Sequence, residues 1–176
     1  SSIVTILALH GGGIEPATTE LAYTIAHCGD YNYFSFKGMR SKGNNELHVT
    51  STHYDDQIAL DLVRGSQRTV AIHGCEGNES VAYIGGSDDR LIELITESLE
   101  DIGISVREAP HHISGTQENN IVNMTQTQGG VQLELTAQLR KELFKNRKSS
   151  RKNRENKDNW DDLMYDFADA DRKSTR

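Results

Sequence analysis

The sequence predicts an α/β fold, with a mixed, mostly parallel sheet between helices in a three-layer α/β/α arrangement. Three observations carry this reading. Short β-branched apolar runs alternate with amphipathic helical patterns along the first 145 or so residues. Two of the runs stop at His10-Gly11 and His73-Gly74, and a third stops at Gly85-Gly86, which is how a buried strand passes into a loop. Nothing repeats at a fixed period.

The elements follow in order. Ile3–Leu9 is apolar and partly β-branched, and reads as a buried strand ending in the triple glycine Gly11-Gly12-Gly13. Pro16 suits the first turn of a helix running through Thr19–His27. Glu46–Thr52 alternates like a strand, and Asp55–Val63 is helical with acids in its first turn. Arg68–Cys75 and Val81–Ile84 are strands. Asp88–Ile102 is the strongest helix, because Leu91, Ile92, Ile95, Leu99 and Ile102 recur at helical spacing and Asp88 can cap it. Ile104–Arg107 is a short strand, 110–128 a long polar loop, Gly130–Leu135 a strand and Thr136–Phe144 a helix. A loop that long in a compact domain is usually functional or disordered.

Charge divides the chain. Residues 1–135 hold seven Lys and Arg against eighteen Asp and Glu, a formal charge of −11, whereas 136–176 hold twelve against eight, a charge of +4. An acidic body should not attract nucleic acid over most of its surface. Residues 1–148 therefore read as the folded domain and 149–176 as a charged tail with a short amphipathic helix, whose Trp160, Leu163, Met164 and Phe167 stripe is expected to dock on the body. Length and a mean hydropathy of −0.62 fit one domain with some solvated chain. No run of 18 apolar residues exists, so no membrane partner is expected. No basic leader precedes Ile3–Leu9. Cys28 and Cys75 allow at most one bridge and exclude a zinc ribbon.

In α/β sheets, sites lie beyond the carboxyl ends of strands. His10, His73 and Glu134 sit at or near such ends, and Glu15 lies five residues after His10 across the triple glycine. Two imidazoles and a carboxylate suit a catalytic zinc, and a second carboxylate suits a general base. The glycines can fold back so that His10 and Glu15 reach one ion. Other readings stand beside this one: strand-end histidines are commonly packed residues, and His27 and His48 read as structural. The triple glycine lacks the pattern of a phosphate loop, and there is no G-x-S-x-G elbow.

Four blocks in order then resemble a known family. His10-Gly-Gly-Gly-Ile-Glu-Pro16, Leu47-His-Val-Thr-Ser-Thr-His-Tyr-Asp55, Val70-Ala-Ile-His-Gly-Cys75 and Gly130-Val-Gln-Leu-Glu-Leu135 with Arg140 resemble the bacteriophage poly-γ-glutamate hydrolases over about residues 3–145. That family is similar in fold to the zinc carboxypeptidases. The resemblance implies an endo-hydrolase of γ-glutamyl amide bonds that uses one zinc ion held by His10, Glu15 and His73, with Glu134 as general base. Glu20 is the fallback ligand, because zinc carboxypeptidases separate their first His and Glu by three residues rather than five. The polymer carries a carboxylate on every residue, which makes Arg90, Arg140, Asn120, Asn123 and His53 the candidate substrate-binding residues. The resemblance further implies a monomer made in the host cytoplasm without a signal peptide, acting outside the cell on host capsule after lysis. Two other functions compete: a zinc amidohydrolase of small N-acylated glutamates or peptides, and a non-enzymatic module whose basic tail binds nucleic acid.

Overall fold

The computed structural model describes residues 3–176. Its centre is a six-stranded sheet: β1 (Val4–Gly12), β2 (Asn32–Gly38), β3 (Arg68–Cys75), β4 (Ala82–Gly86), β5 (Val106–Glu108) and β6 (Val131–Thr136), in the order β2-β1-β3-β6-β4-β5. β2, β1, β3 and β6 run parallel, β4 is antiparallel to β6, and β5 is parallel to β4. The mixed, mostly parallel α/β fold expected from the sequence is the fold observed.

Side-chain alternation sorts the strands' two faces. Val4, Ile6, Val70, Ile72, Val131 and Leu133 point to one face and pack beneath α1 (Thr18–Gly29), α3 (Asp89–Asp101) and α6 (Asp162–Thr175). Leu7, Leu9 and Ala71 point to the other, under α2 (Gln57–Arg64) and the Ile121-Val122 turn. α3 forms because Asp88 accepts the Leu91 amide as its cap and Leu91, Ile95 and Leu99 recur on one stripe, all three buried. Burying each such side chain contributes roughly 1.5–3 kcal/mol.

α4 (Ala137–Glu142) and the single turn α5 (Arg151–Arg154) lead to α6. The expected docking of the apolar stripe is observed. Met164 and Phe167 are fully buried, Trp160 nearly so, and α6 lies against α1 and α3. The Trp160 indole donates to the Arg154 carbonyl at 2.8 Å. Residues 149–176 thus share the core of the body they follow.

Two stretches differ from the sequence reading. Glu46–Thr52 is not a strand: it is a 3-10 turn, Asn44–Leu47, followed by irregular chain. The segment joins no strand of the sheet, and the Val49 carbonyl is taken instead by a histidine side chain. β2, which the sequence reading leaves unassigned, is the edge strand beside β1. Its aromatic Tyr33, Phe34 and Phe36 fall on both faces of a strand that is exposed or half-exposed over most of its length, which is a weak hydrophobic signal. Both cysteines are free thiols. No helix among the described residues is long and apolar enough to cross a membrane.

Candidate active site

The carboxyl ends of β1, β3 and β6 open into one cavity, bordered by the 48–52 and 112–120 segments. β3 and β6 are in register with His73 opposite Glu134, so both side chains emerge on the α2 face. His10 would alternate onto the opposite face. It does not, because β1 carries one residue more than β2 between the Ala8–Ser35 and Gly11–Lys37 pairs. This bulge re-aims the end of the strand and brings His10 beside His73.

The His10–Glu15 loop is closed by its own backbone: the Glu15 amide donates to the His10 carbonyl at 2.8 Å. Gly12 supplies the left-handed turn, with φ +62°. Gly11 must be a glycine because a β-carbon there would run into the Thr19 hydroxyl. The five-residue separation therefore yields a fixed pair.

Three donor atoms converge as a result. His10 Nδ1 lies 3.2 Å from Glu15 Oε1 and 3.1 Å from His73 Nδ1, and His73 Nδ1 lies 3.5 Å from Glu15 Oε1. His10 Nε2 donates to the Val49 carbonyl at 2.6 Å, which leaves the Nδ1 lone pair facing inward. His73 Nε2 is buried with no hydrogen-bond partner among the described residues. A tetrahedral zinc ion with bonds of about 2.0–2.1 Å sets its ligand atoms about 3.3–3.4 Å apart. The separations and the chemistry of the donor set fit such an ion.

His48, read from the sequence as structural, belongs to this cluster. Its ring stacks on His10 with centroids 3.8 Å apart, and its Nε2 lies 3.8 Å from Glu15 Oε2. His10, Glu15 and His48 form a second possible donor set, looser and more exposed than the one with His73. Nothing in the spacing reveals His48, since only the irregular chain that replaces the expected strand delivers it. His112 also borders the cavity.

The electrostatics are those of buried, mutually dependent groups. Burial alone would raise the Glu15 carboxyl, but hydrogen bonds and charge from His10 and His73 overcome it and hold Glu15 well below the usual carboxylate range. Burial disfavours a charged His73, yet Glu134 and Glu15 outweigh it and raise its pKa above the ordinary value. Burial pushes Glu134 up to about 7, against the pull of His73. Burial and Glu134 push the Cys75 thiol up to about 11, so it is no ready nucleophile.

Gln132, two residues before Glu134 on the same face, donates to Glu134 Oε1 at 3.2 Å and accepts from Asn120 Nδ2 at 3.2 Å. Asn120 borders the cavity; Asn123 does not, its side chain donating to the Gly115 and Gln117 carbonyls and accepting from the Gly130 amide. Arg140 stands behind the site, its fork spent on the carbonyls of Leu135, Pro16 and Cys75 at 3.0, 3.1 and 2.9 Å. Gly74 is small to admit this guanidinium: a β-carbon there would sit 2.6 Å from Arg140 Cζ.

Three candidates fall elsewhere. Arg90 does follow a strand end, but β4 is antiparallel and its Gly86 pairs with Val131 at the start of β6. Arg90 is therefore at the opposite edge of the sheet, exposed and paired with Glu93 at 3.3 Å. His53 is exposed and does not border the cavity. Glu20 is turned away toward Arg154, 3.9 Å off, in a separate groove.

Comparison with known proteins agrees with this architecture. A solved structure described as "Structure of Bacteriophage poly-gamma-glutamate hydrolase" superposes with TM-score 0.92 at 32% identity, covering 97% of this chain and 82% of that one. Another, "YNDL-apo (Zinc-free)", superposes with TM-score 0.87 at 30% identity, covering 98% and 84%. Among curated proteins of Bacillus subtilis, the SPbeta prophage-derived UPF0714 protein YoqZ is 39% identical over 80% of this chain and 52% of its own length. UPF0714 protein YndL is 34% identical over 81% of this chain and 57% of its own. The chain thus spans about half the length of these two curated relatives. The sequence profile of the poly-gamma-glutamate hydrolases matches residues 1–170, and the chain belongs to that family.

Proposed function

We propose that the protein is a zinc-dependent endo-hydrolase of γ-glutamyl amide bonds in poly-γ-glutamate, with one zinc ion held by His10, Glu15 and His73. The observation that carries this reading is the convergence of those three donor atoms, 3.1–3.5 Å apart, beside the buried Glu134. Zinc supplies Lewis acidity to such a site, polarising a carbonyl and making water more acidic.

The remaining roles fall to the chain. Val49 fixes the His10 tautomer through its carbonyl, and the Gly74 amide donates to Glu15 Oε1 at 3.0 Å, holding that carboxylate in place. Glu134 takes a proton from the attacking water on a carboxylate oxygen. The same carboxyl then gives it to the amide nitrogen as the carbon–nitrogen bond breaks. A carboxyl brought near neutrality by burial suits both directions of transfer. Gln132 holds Glu134, and Asn120 holds Gln132. Arg140 fastens the loop carrying Glu15 to the ends of β3 and β6, while Asn120 and His112 border the space open to substrate. The polymer is the partner in this reading, met by a monomer that acts on host capsule outside the cell after lysis.

The test joins metal analysis to a viscosity assay. Stoichiometric zinc and an immediate fall in viscosity of a poly-γ-glutamate solution are expected. Glutamate release without thinning would assign the site to trimming or to a small amide instead. Full activity in protein stripped of metal would reject the reading.

A further inference from the structure

A strip of positive charge follows the end of β6, outside the lining of the cavity. Lys141, Lys145, Arg147, Lys148 and Lys152 are all exposed. Among the described residues none of the five forms an ion pair; in this segment the exposed pair is Arg151 with Glu155, at 2.9 Å. Cations of this kind on an otherwise acidic surface keep their charge available to a ligand.

Both ends of the strip are fastened near the carboxyl edge of the sheet. At one end Arg140 grips the last turns of β3 and β6 and the loop carrying Glu15. At the other, Arg151 Nη1 donates to the Met39 carbonyl, just past the end of β2, at 3.2 Å. Buried Arg154 then pins the turn through its bond to the Ser149 carbonyl at 2.7 Å. Between these anchors Asn146 and Arg147 are both left-handed, with φ 55° and 56°, which turns the chain sharply in the middle of the strip. The two anchors thus lie just past the ends of β6 and β2, both at the carboxyl edge of the sheet.

We propose that 141–152 is a docking strip for the polyanionic substrate chain, binding its carboxylates several residues away from the bond being cut. The proposal rests on the hydrolase reading above and extends it from the scissile bond to the length of polymer beyond it. Two considerations favour this occupant. Residues 1–135 carry a formal charge of −11, so a polyanion needs a local cationic path to reach the cavity at all. A short run of cations anchored at the carboxyl edge of the sheet, the edge at which the cavity opens, suits one flexible chain with a carboxylate on every residue.

The experiment compares wild-type protein with the fourfold variant K145Q/R147Q/K148Q/K152Q, which touches no residue of the site. Substrates are long poly-γ-glutamate and a γ-linked glutamate tetramer. With the long polymer at low salt, KM should rise about tenfold in the variant with kcat unchanged, the size expected from four exposed contacts of modest strength. Raising salt should increase the wild-type KM and leave the variant's nearly flat. Kinetics with the tetramer should be the same in both. An unchanged KM and salt dependence on the long polymer would overturn the proposal, as would an equal defect on the tetramer. If wild-type protein cuts neither substrate, the hydrolase reading fails, and fluorescence anisotropy with labelled polymer still decides the strip: weaker binding by the variant supports it and equal binding rejects it. Loss of duplex DNA binding with polymer binding intact would assign the strip to nucleic acid and overturn the proposal.

Discussion

His73 on β3 and Glu134 on β6 stand directly opposite each other in a parallel ladder, and each sets the other's charge. The carboxyl raises the imidazole's pKa, while the imidazole tempers the effect of burial on the carboxyl. In the function proposed above, the residue that binds the metal and the residue that moves the proton are therefore neighbours by strand register.

Replacing His10, Glu15 or His73 by Ala is expected to remove zinc and abolish turnover, because each supplies one corner of the donor triangle. His48→Ala should retain zinc more strongly than any of the three, since His48 is partly exposed, stacks on the His10 ring and approaches only the far oxygen of Glu15. Zinc content by atomic absorption after dialysis orders the four variants. Full occupancy in His73→Ala would exclude that ligand.

Glu134→Gln preserves shape and removes the base, so kcat should fall by about 10²–10⁴-fold with zinc retained. Gln132→Leu leaves Glu134 and Asn120 without their shared partner. It should lower kcat while KM and zinc content stay near wild type, and Gln132→Glu, which removes the donor but keeps the length, should not restore it. A Gln132→Leu enzyme with a wild-type kcat would show that Glu134 needs no such support.

Asp171 on α6 is wholly buried, its Oδ1 accepting from Thr175 at 3.0 Å and its Oδ2 without a partner among the described residues. Burial pushes its pKa from 3.8 up to about 7, with the Thr175 hydroxyl acting weakly in the other direction. Between those values the folded state binds more protons than the unfolded one. Stability from this group is therefore full below about pH 4 and is lost as pH rises toward 7. Urea midpoints measured from pH 4 to pH 8 should fall less steeply in Asp171→Asn than in the wild type. Identical slopes would remove Asp171 as the cause.

Phe167→Ala empties a fully buried position between α6 and the sheet-covering helices. A loss of about 3–5 kcal/mol is expected in one cooperative denaturant transition. A change under 1 kcal/mol, or a separate early transition, would mean that the C-terminal segment is an appendage and not part of the core.

Much of the fold was legible, for a physical reason. β1, β3, β6 and α3 each bury one continuous apolar pattern, so periodicity alone marks them. His10, His73 and Glu134 were visible as polar residues closing such strands. What escaped depended on partners distant in sequence. The strand-like alternation of 46–52 is not taken up by the sheet, and its Val49 carbonyl serves His10 instead. Arg90 does follow a strand end, but a single antiparallel pairing, β4 with β6, puts that end on the far side of the sheet from the site. Strand direction leaves no mark in a five-residue run.

The extra residue in β1 makes the site sensitive to chain length as well as to side-chain identity. Deleting Leu9 would restore plain alternation against β2 and put the imidazole where the Leu9 side chain now packs in the α2-side core, one strand position short of the cavity, with every ligand still present in the sequence. A chain with all four blocks intact but one residue fewer at that point would keep the family's signature and forfeit the arrangement that gives it meaning.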